Sequence, residues 1–278
     1  MRKRFCLNSA TIRKTPLEEQ IWLASEAGFP RVGLWFDDIE AATSRGVSLD
    51  EIAGWVKRAK LKVEELCFLG GWQSVEEGQF PLVLQRTRHL CRVSRALDCD
   101  IVVAVPPLNP GSLAGAPACL REVCRAAAEF SVQIALEFPG TAAEVKDLAT
   151  AWQVVSLAGC ENAGLVLDSF HFFLGGSRID DLAGIPGEKI FLVHLSDAMD
   201  VPLEKLRRPH DFRTFPGEGT LEYGPLLRAL QDIGYQGAFS LEIWNQRLNE
   251  TDPAEVARKG FESLLGLEQL VSSPATTK

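Results

Sequence analysis

Short apolar runs alternate with longer amphipathic segments along the whole chain, and this alternation is the sequence feature that most restricts the fold. Six segments with apolar residues at helical spacing predict helices over residues 17–27, 80–97, 111–130, 142–158, 221–233 and 252–270. Strands that alternate with helices imply a parallel sheet, because each crossover returns the chain to the same end of the sheet. The apolar runs are rich in Val, Ile, Leu and Phe and predict eight strands, which start near Arg4, Arg31, Leu61, Asp100, Val132, Ala163, Lys189 and Gly237.

Eight strand–helix units within 278 residues match the usual size of a closed barrel. We therefore predict an α/β fold, a single (β/α)8 TIM barrel, as one catalytic domain over residues 1–271. An open, doubly wound sheet that binds a nucleotide normally carries a glycine-rich turn after its first strand. Here the first strand is followed by Asn-Ser-Ala-Thr at residues 8–11, and the chain contains neither GxGxxG nor GxxxxGK[ST]. Residues 272–278, SSPATTK, are predicted to form a disordered tail.

Composition argues against several classes of protein. The net charge of −8 and the small size of the basic clusters disfavour a nucleic-acid partner, whose phosphates demand a basic stripe. No apolar run approaches the roughly 18 residues of a membrane span, and none follows the basic N-terminus as in a signal peptide. Seven irregularly spaced cysteines without a CxxC are typical of buried free thiols in a reducing compartment. We expect a cytoplasmic protein with no membrane or nucleic-acid partner. The oligomeric state stays open, with a homo-oligomer as one option.

Polar residues close the last four predicted strands, at the place where TIM barrels carry their chemistry. They are Glu137 in VQIALEFPG, Asp168 in AGLVLDSFH, His194 in KIFLVHLSD and Glu242 in GAFSLEIWN. Each is costly when buried alone, but in a closed barrel four successive strands bring them together, and one cation can offset the charge of the carboxylates. We therefore predict one divalent metal ion bound by all four. Three carboxylates with one imidazole favour Mn²⁺, Mg²⁺ or Co²⁺, with Zn²⁺ as the alternative.

A long charged segment, residues 197–220, follows the seventh predicted strand and is a candidate lid or substrate wall. Within it, Arg213 precedes a tight Pro-Gly and Gly-Glu-Gly turn and is either held toward a ligand oxygen or exposed at the surface. Trp35 and Trp244, at strand ends, either stack on a sugar-like ring or pack within the barrel. We predict a structural role for Asp37, Asp38, Glu64 and Glu65. Asp197 is predicted to cap the segment that follows it, and His89 is predicted to lie at the surface.

The strand-end motifs resemble the xylose-isomerase-like TIM-barrel superfamily of sugar isomerases and epimerases. The matching pieces are LEFP, LDSFH, VHLSD, RTFPGEG and SLEIWN, which span nearly the whole chain. The resemblance implies the same four metal ligands, with the two glutamates, Glu137 and Glu242, doubling as acid and base. It also implies that His171 and Arg213 contact the substrate.

Part of the chain, from HLSDA through FPGEG to GYQGAFSLEIWN, also resembles the 3-dehydroshikimate dehydratases of that superfamily. Those dehydratases often carry Gln where His194 stands and Lys where Ser196 stands. Many epimerases and dehydratases carry a His where this chain has Pro139. These departures leave the reaction open.

The leading hypothesis is a metal-dependent keto-sugar isomerase or epimerase that acts on a small hydroxylated carbonyl substrate through an enediolate. Glu137 or Glu242 removes the proton beside the carbonyl, and His171 shares the work. One alternative is a metal-dependent dehydratase of the 3-dehydroshikimate or keto-inositol type, which expels a β-hydroxyl after the same first step. Another is a non-catalytic sugar-binding barrel. Endonucleases acting at abasic DNA sites share the fold, but they need many His ligands, and this acidic chain has four His in total.

Overall fold

Eight parallel strands close into a barrel in the computed structural model, which describes residues 1–73, 78–109, 112–208 and 211–272. Each strand pairs with its neighbours in chain order, and the first pairs with the last. Each begins within one residue of its predicted start, and the predicted TIM barrel is confirmed. The strands are β1 (Phe5–Asn8), β2 (Arg31–Trp35), β3 (Lys62–Gly70), β4 (Ile101–Val105), β5 (Gln133–Leu136), β6 (Ala163–Asp168), β7 (Ile190–Leu195) and β8 (Ala238–Leu241).

Helices connect the strands and pack around the barrel. The six predicted helices are found as α1, α4, α5, α6, α9 and α10, whereas α2, α3, α7 and α8 were not predicted. The helices of the described residues are α1 (Leu17–Glu26), α2 (Phe36–Ser44), α3 (Leu49–Arg58), α4 (Phe80–Ala96), α5 (Ala116–Ala128), α6 (Leu148–Ala158), α7 (Ser169–Leu174), α8 (Leu203–Leu206), α9 (Tyr223–Asp232) and α10 (Pro253–Ser272).

The start of α6 corrects one predicted boundary. The helix predicted from residue 142 begins only at Leu148, because the Asp147 side chain accepts a hydrogen bond from the Thr150 N–H at 2.9 Å and caps the helix there. The segment before the cap runs along the carboxyl end of the barrel instead. The helix predicted from residue 111 likewise begins at Ala116.

The predicted tail begins at Ser272, which is still the last residue of α10; residues 273–278 lie outside the described part of the chain. No helix among the described residues is long and apolar enough to cross a membrane. All seven cysteines are free thiols, and five of them are buried. His89 is 53 % exposed, as predicted.

Two apolar clusters fill the molecule. The larger one lies between the barrel and its helices and includes every second residue of the strands, such as Leu165 and Leu167 of β6. The smaller one fills the inside of the barrel and includes Ala135, Val166 and Leu192. Because side chains alternate between the two faces of a strand, the residue two positions beyond each of these interior residues also faces inward. That alternation decides which residues reach the functional site.

Candidate metal centre

The four predicted ligands lie on the inward face of β5 to β8 or directly after it. Glu137, Asp168 and His194 each follow an interior apolar residue by two positions, and Glu242 follows Ala238 by four. Each strand therefore supplies an apolar side chain to the barrel interior and then a polar one at its carboxyl end. The structure brings all four predicted residues together, with one ligand atom from each lying within 4.8 Å of the others.

The geometry around His194 fits a cation. The imidazole Nδ1 lies 3.3 Å from Glu242 Oε2 and 3.8 Å from Glu137 Oε1, and it is buried without a hydrogen-bond partner. A buried ring nitrogen rarely lacks a partner, and one that faces carboxylates is suited to bind a metal ion. The donor set of three carboxylates and one imidazole accommodates a divalent ion, and a buried group of this composition indicates such an ion.

Glu65 of β3 holds the other side of this imidazole. His194 Nε2 donates to Glu65 Oε2 at 2.6 Å, so in the neutral ring that a metal ion requires, Nδ1 would present its lone pair to the ligand cluster. Glu65 is fully buried, and its Oε1 accepts from Asn8 Nδ2 at 3.1 Å and Ser240 Oγ at 2.6 Å. From its sequence context, Glu65 was predicted to have a structural role only. The structure places it against a predicted ligand, where it fixes the orientation of the ring.

The buried carboxylates of the cluster need a compensating positive charge. Burial raises the pKa of Glu137 from 4.5 to about 7, with Glu242 adding to the effect. Burial works against a charged His194, but the carboxylates of Glu65 and Glu242 raise its pKa well above the usual value. Without a metal ion the cluster therefore retains protons, and a divalent cation would replace them.

Arg213 is buried, not exposed, and it enters the site from the segment after β7. Its Nη1 donates to Asp168 Oδ2 at 2.9 Å, and its guanidinium lies 4.5 Å from the centre of the Phe170 ring. Burial opposes a charged Asp168, yet Arg213 and His171 lower the pKa of this carboxyl to about 2. Asp168 is thus ionised near pH 7 and lies directly beside the Arg213 guanidinium.

His171 lies on α7, whose first turn is capped by Asp168 Oδ1, which accepts from the His171 N–H at 2.8 Å. Arg213 Nη2 lies 2.9 Å from His171 Nε2, and the Gly140 N–H faces Nδ1 at 3.1 Å. Burial lowers the pKa of His171 to about 4, so the ring is neutral near pH 7. A neutral imidazole accepts at one nitrogen only, so only one of these two contacts is a hydrogen bond at a time.

Asp197 organises the segment that carries Arg213. Its Oδ1 accepts from the Ala198 and Leu221 N–H groups, and its Oδ2 accepts from the Gly217 N–H at 2.9 Å. Residues 197–198 also pair with residues 213–214 in a short antiparallel ribbon. The predicted cap is confirmed. The ribbon directs Arg213 into the barrel, so the surface position is excluded, and its contact with a ligand oxygen stays a prediction.

A cavity of about 240 Å³ opens beside the predicted ligands at the carboxyl end of the barrel. Glu137, Glu242, His171 and Arg213 contribute its charged and imidazole groups. Trp35 and Trp244 both line it, with their rings edge to face at a centroid distance of 5.0 Å. The predicted catalytic and substrate-binding residues thus surround one space large enough for a six-carbon compound.

Comparison with known proteins agrees with this geometry. The family model described as xylose isomerase-like TIM barrel matches residues 21–267. An inosose isomerase of Bacillus velezensis is 26 % identical over 268 residues, which cover 94 % of this chain and 95 % of that protein. A 3-dehydroshikimate dehydratase of Pseudomonas aeruginosa is 32 % identical over 190 residues, which cover 67 % of this chain and 30 % of that protein.

Among solved structures, the crystal structure of IOLI protein with a binding zinc atom superposes with a TM-score of 0.89 at 25 % identity. The match covers 99 % of this chain and 100 % of the IOLI chain. The D-psicose 3-epimerase of Clostridium cellulolyticum, at 14 % identity and a TM-score of 0.78, shares the fold. With a matching family model over most of its length and a buried Glu/Asp/His/Glu group at the carboxyl end of its barrel, the chain belongs to the xylose isomerase-like TIM-barrel family.

Proposed function

We propose that the protein is a divalent-metal-dependent isomerase or epimerase that moves a proton beside the carbonyl of a small hydroxylated ketone. The observation that carries this proposal is the placement of two buried carboxylates, Glu137 and Glu242, next to His194 and facing one cavity. The kinship with inosose isomerases supports it.

The metal ion would be held by Glu137, Asp168, His194 and Glu242. When bound, it supplies positive charge that stabilises negative charge on the substrate oxygens. Mn²⁺, Mg²⁺ and Co²⁺ suit the three carboxylates, and the zinc atom bound by the IOLI protein supports Zn²⁺.

Glu137 and Glu242 are proposed as the acid and base. Since they approach the cavity from β5 and β8, one carboxylate can remove a proton from one face of the substrate and the other can return it. Return to the opposite face of the same carbon gives epimerisation, and return to the neighbouring carbon gives isomerisation.

His171 and Arg213 are proposed to bind substrate oxygens. Arg213 is positioned before substrate arrives, because Asp168 and the Phe170 ring fix its guanidinium. His171 is neutral near pH 7 and can donate or accept a hydrogen bond. Fixed donors of this kind lower the cost of charge that develops on the substrate.

The direct test follows exchange of the α-proton with solvent deuterium by NMR, using keto sugars, inositol ketones and 3-dehydroshikimate with metal-loaded protein. We expect exchange with wild type, and a loss of about 10²- to 10⁴-fold in Glu137→Gln and Glu242→Gln at saturating metal. The exposed Glu129→Gln serves as the matched control and should exchange normally. Full activity in Glu242→Gln would exclude the assigned role of that residue.

The same experiment separates the alternatives. A dehydratase is favoured by the Pseudomonas aeruginosa relative, and its aromatic product from 3-dehydroshikimate would appear in an ultraviolet scan. Binding of ketones without exchange or dehydration would indicate a non-catalytic sugar-binding barrel.

A further inference from the structure

Much of the lining of the cavity is apolar. We call this surface the apolar wall; it consists of Trp35, Phe68, Val103, Val105, Leu108 and Trp244. Trp35 packs edge to face against both Phe68 and Trp244, so the aromatic part of the wall is a continuous surface. The indole N–H of Trp35 is directed to Asn8 Oδ1 at 2.8 Å and is not offered to the cavity. The wall therefore suits C–H groups and offers no charge.

The described lining holds no cation whose charge is left uncompensated. Arg213 is the one lysine or arginine in it, and Asp168, 2.9 Å from its Nη1, offsets its charge, while its Nε has no hydrogen-bond partner and can donate to a substrate oxygen. Arg13 lies 4.5 Å from the Trp35 ring centre but pairs with Asp38 at 2.7 Å. The sequence of the internal stretches that the structure leaves out, residues 74–77, 110–111 and 209–210, contains no Lys or Arg.

The charge of the centre adds to this effect. Three ligand carboxylates, a divalent ion and the Arg213 guanidinium are together neutral, and the buried Glu65 adds one negative charge. A phosphate or carboxylate on the ligand would lie beside this centre with the apolar wall as its other surroundings. A charge that leaves water without a partner is strongly disfavoured, so such a ligand binds weakly.

We propose that the site selects neutral hydroxyketones, whose carbon skeleton contacts the apolar wall through C–H groups, and rejects their phosphorylated and carboxylated counterparts. This inference rests on the proposed proton transfer for the identity of the reacting group. It adds that the wall, and Leu108 at its rim, determines specificity for charge.

The test compares ligands that differ in charge but share a skeleton: 3-dehydroshikimate against its methyl ester, and D-fructose against D-fructose 6-phosphate. Binding to the metal-loaded protein is measured by calorimetry, and α-proton exchange is measured by NMR on the same samples. We expect the neutral member of each pair to bind at least about tenfold more tightly. Equal or tighter binding of the anionic members would overturn the inference.

A charge placed on the wall provides the second arm. Leu108 is 55 % exposed at the rim of the cavity, so Leu108→Arg can add a cation there without disturbing the core. We expect it to reduce the preference for the neutral member by about tenfold. Leu157→Arg is the matched control, because Leu157 is 56 % exposed on α6 and does not line the cavity. An unchanged preference in Leu108→Arg would show that the wall does not set the selectivity.

The two measurements, ligand binding and α-proton exchange, also separate this inference from the proposed function. A neutral preference in binding without any proton exchange would remove the proposed reaction and leave the selectivity intact. Proton exchange with an anionic preference would do the reverse.

Discussion

The two halves of the barrel carry opposite kinds of residue at their carboxyl ends. Strands β5 to β8 supply the Glu/Asp/His/Glu cluster. Strands β1 to β4 supply most of the apolar wall, and Glu65, the fully buried carboxylate of β3, is directed at His194 and does not line the cavity. We call β5 to β8 the ligand half and β1 to β4 the wall half. The ligand half concentrates buried charge, which is unfavourable for folding, whereas the wall half supplies apolar packing and one contact that orients His194.

The site is therefore asymmetric in the polarity of the residues that the two halves contribute. Reactive groups converge from one half, and the opposite half defines the shape and polarity of the space beside them. The halves meet at the contact between Glu65 and His194. There Glu65, a residue of the wall half, fixes the orientation of the His194 imidazole of the ligand half. Changes in the two halves should therefore have separable effects, and the following predictions test this.

The largest effect is expected from losing a residue of the ligand half. His194→Ala removes the orphaned Nδ1 from the cluster and should lower the affinity for a divalent metal by more than about 100-fold, beyond what loss of an outer partner causes. Calorimetric titration of the metal-free protein measures this, with the exposed His89→Ala as the matched control. An affinity within tenfold of wild type would mean that the imidazole does not hold the ion.

The ligand half should also lower the stability of the metal-free protein. The pKa of Glu137 rises from 4.5 to about 7 on folding because the group is buried, so the folded state binds its proton more tightly than the unfolded state does. Stability from this group is fully present below pH 4.5 and is lost as the pH rises through 7. Relative to wild type, Glu137→Gln should gain up to about 3 kcal/mol between these limits, as urea unfolding at several pH values would show. Parallel pH profiles for the two proteins would refute this.

The contact between the halves should have an intermediate effect. In Glu65→Gln the amide N–H₂ would face either the donors Asn8 and Ser240 or the donor His194, so the hydrogen bonds on one side are lost. The His194 imidazole then loses its fixed orientation. We expect metal affinity to fall by about 10- to 100-fold with little change in secondary structure. Glu64→Gln, one residue away and paired with Arg31 and Lys62, is the control and should bind metal as wild type does.

The smallest effect should come from a change that touches only the support of this contact. A Cβ on Gly33 would lie 2.5 Å from Glu65 Oε1, so Gly33→Ala must displace that carboxylate. We expect a loss of about 1–3 kcal/mol in stability and at most about tenfold in metal affinity. Gly266→Ala on α10 meets no atom within 4 Å and should be neutral or stabilising. If both variants behave alike, Gly33 is not needed for the position of Glu65.

The placement of the ligand cluster could be predicted from sequence because it rests on local periodicity. Each ligand follows an apolar strand residue at an even spacing, and the strands repeat in a regular order, so their carboxyl ends had to meet. The eight strand starts were predictable for the same reason. Helix α3 was missed although its sequence carried the signal: Ser48 caps it through the Glu51 N–H, and its buried residues Ile52, Trp55 and Val56 have helical spacing.

The role of Glu65 could not be predicted, because its partner is 129 residues away and its neighbours Lys62 and Glu64 suggest a solvated strand. Its one sequence signal is that it shares the inward face of β3 with Cys67. The burial of Arg213 was also beyond local sequence, since it depends on hydrogen bonds that Asp197 makes across the whole segment. Both residues are fixed by tertiary contacts, which periodicity does not report.

Asp197 has a consequence for how the length of this chain can vary. One carboxylate binds backbone N–H groups at both ends of the segment after β7, and the ribbon of residues 197–198 and 213–214 joins the same ends. The chain therefore makes an excursion that leaves the ribbon after Ala198 and returns to it at Arg213. Because closing a somewhat longer loop costs little free energy, this excursion can gain or lose residues without moving Arg213. The barrel thus has a position at which the loop after β7 can change in length while Arg213 keeps its place in the site.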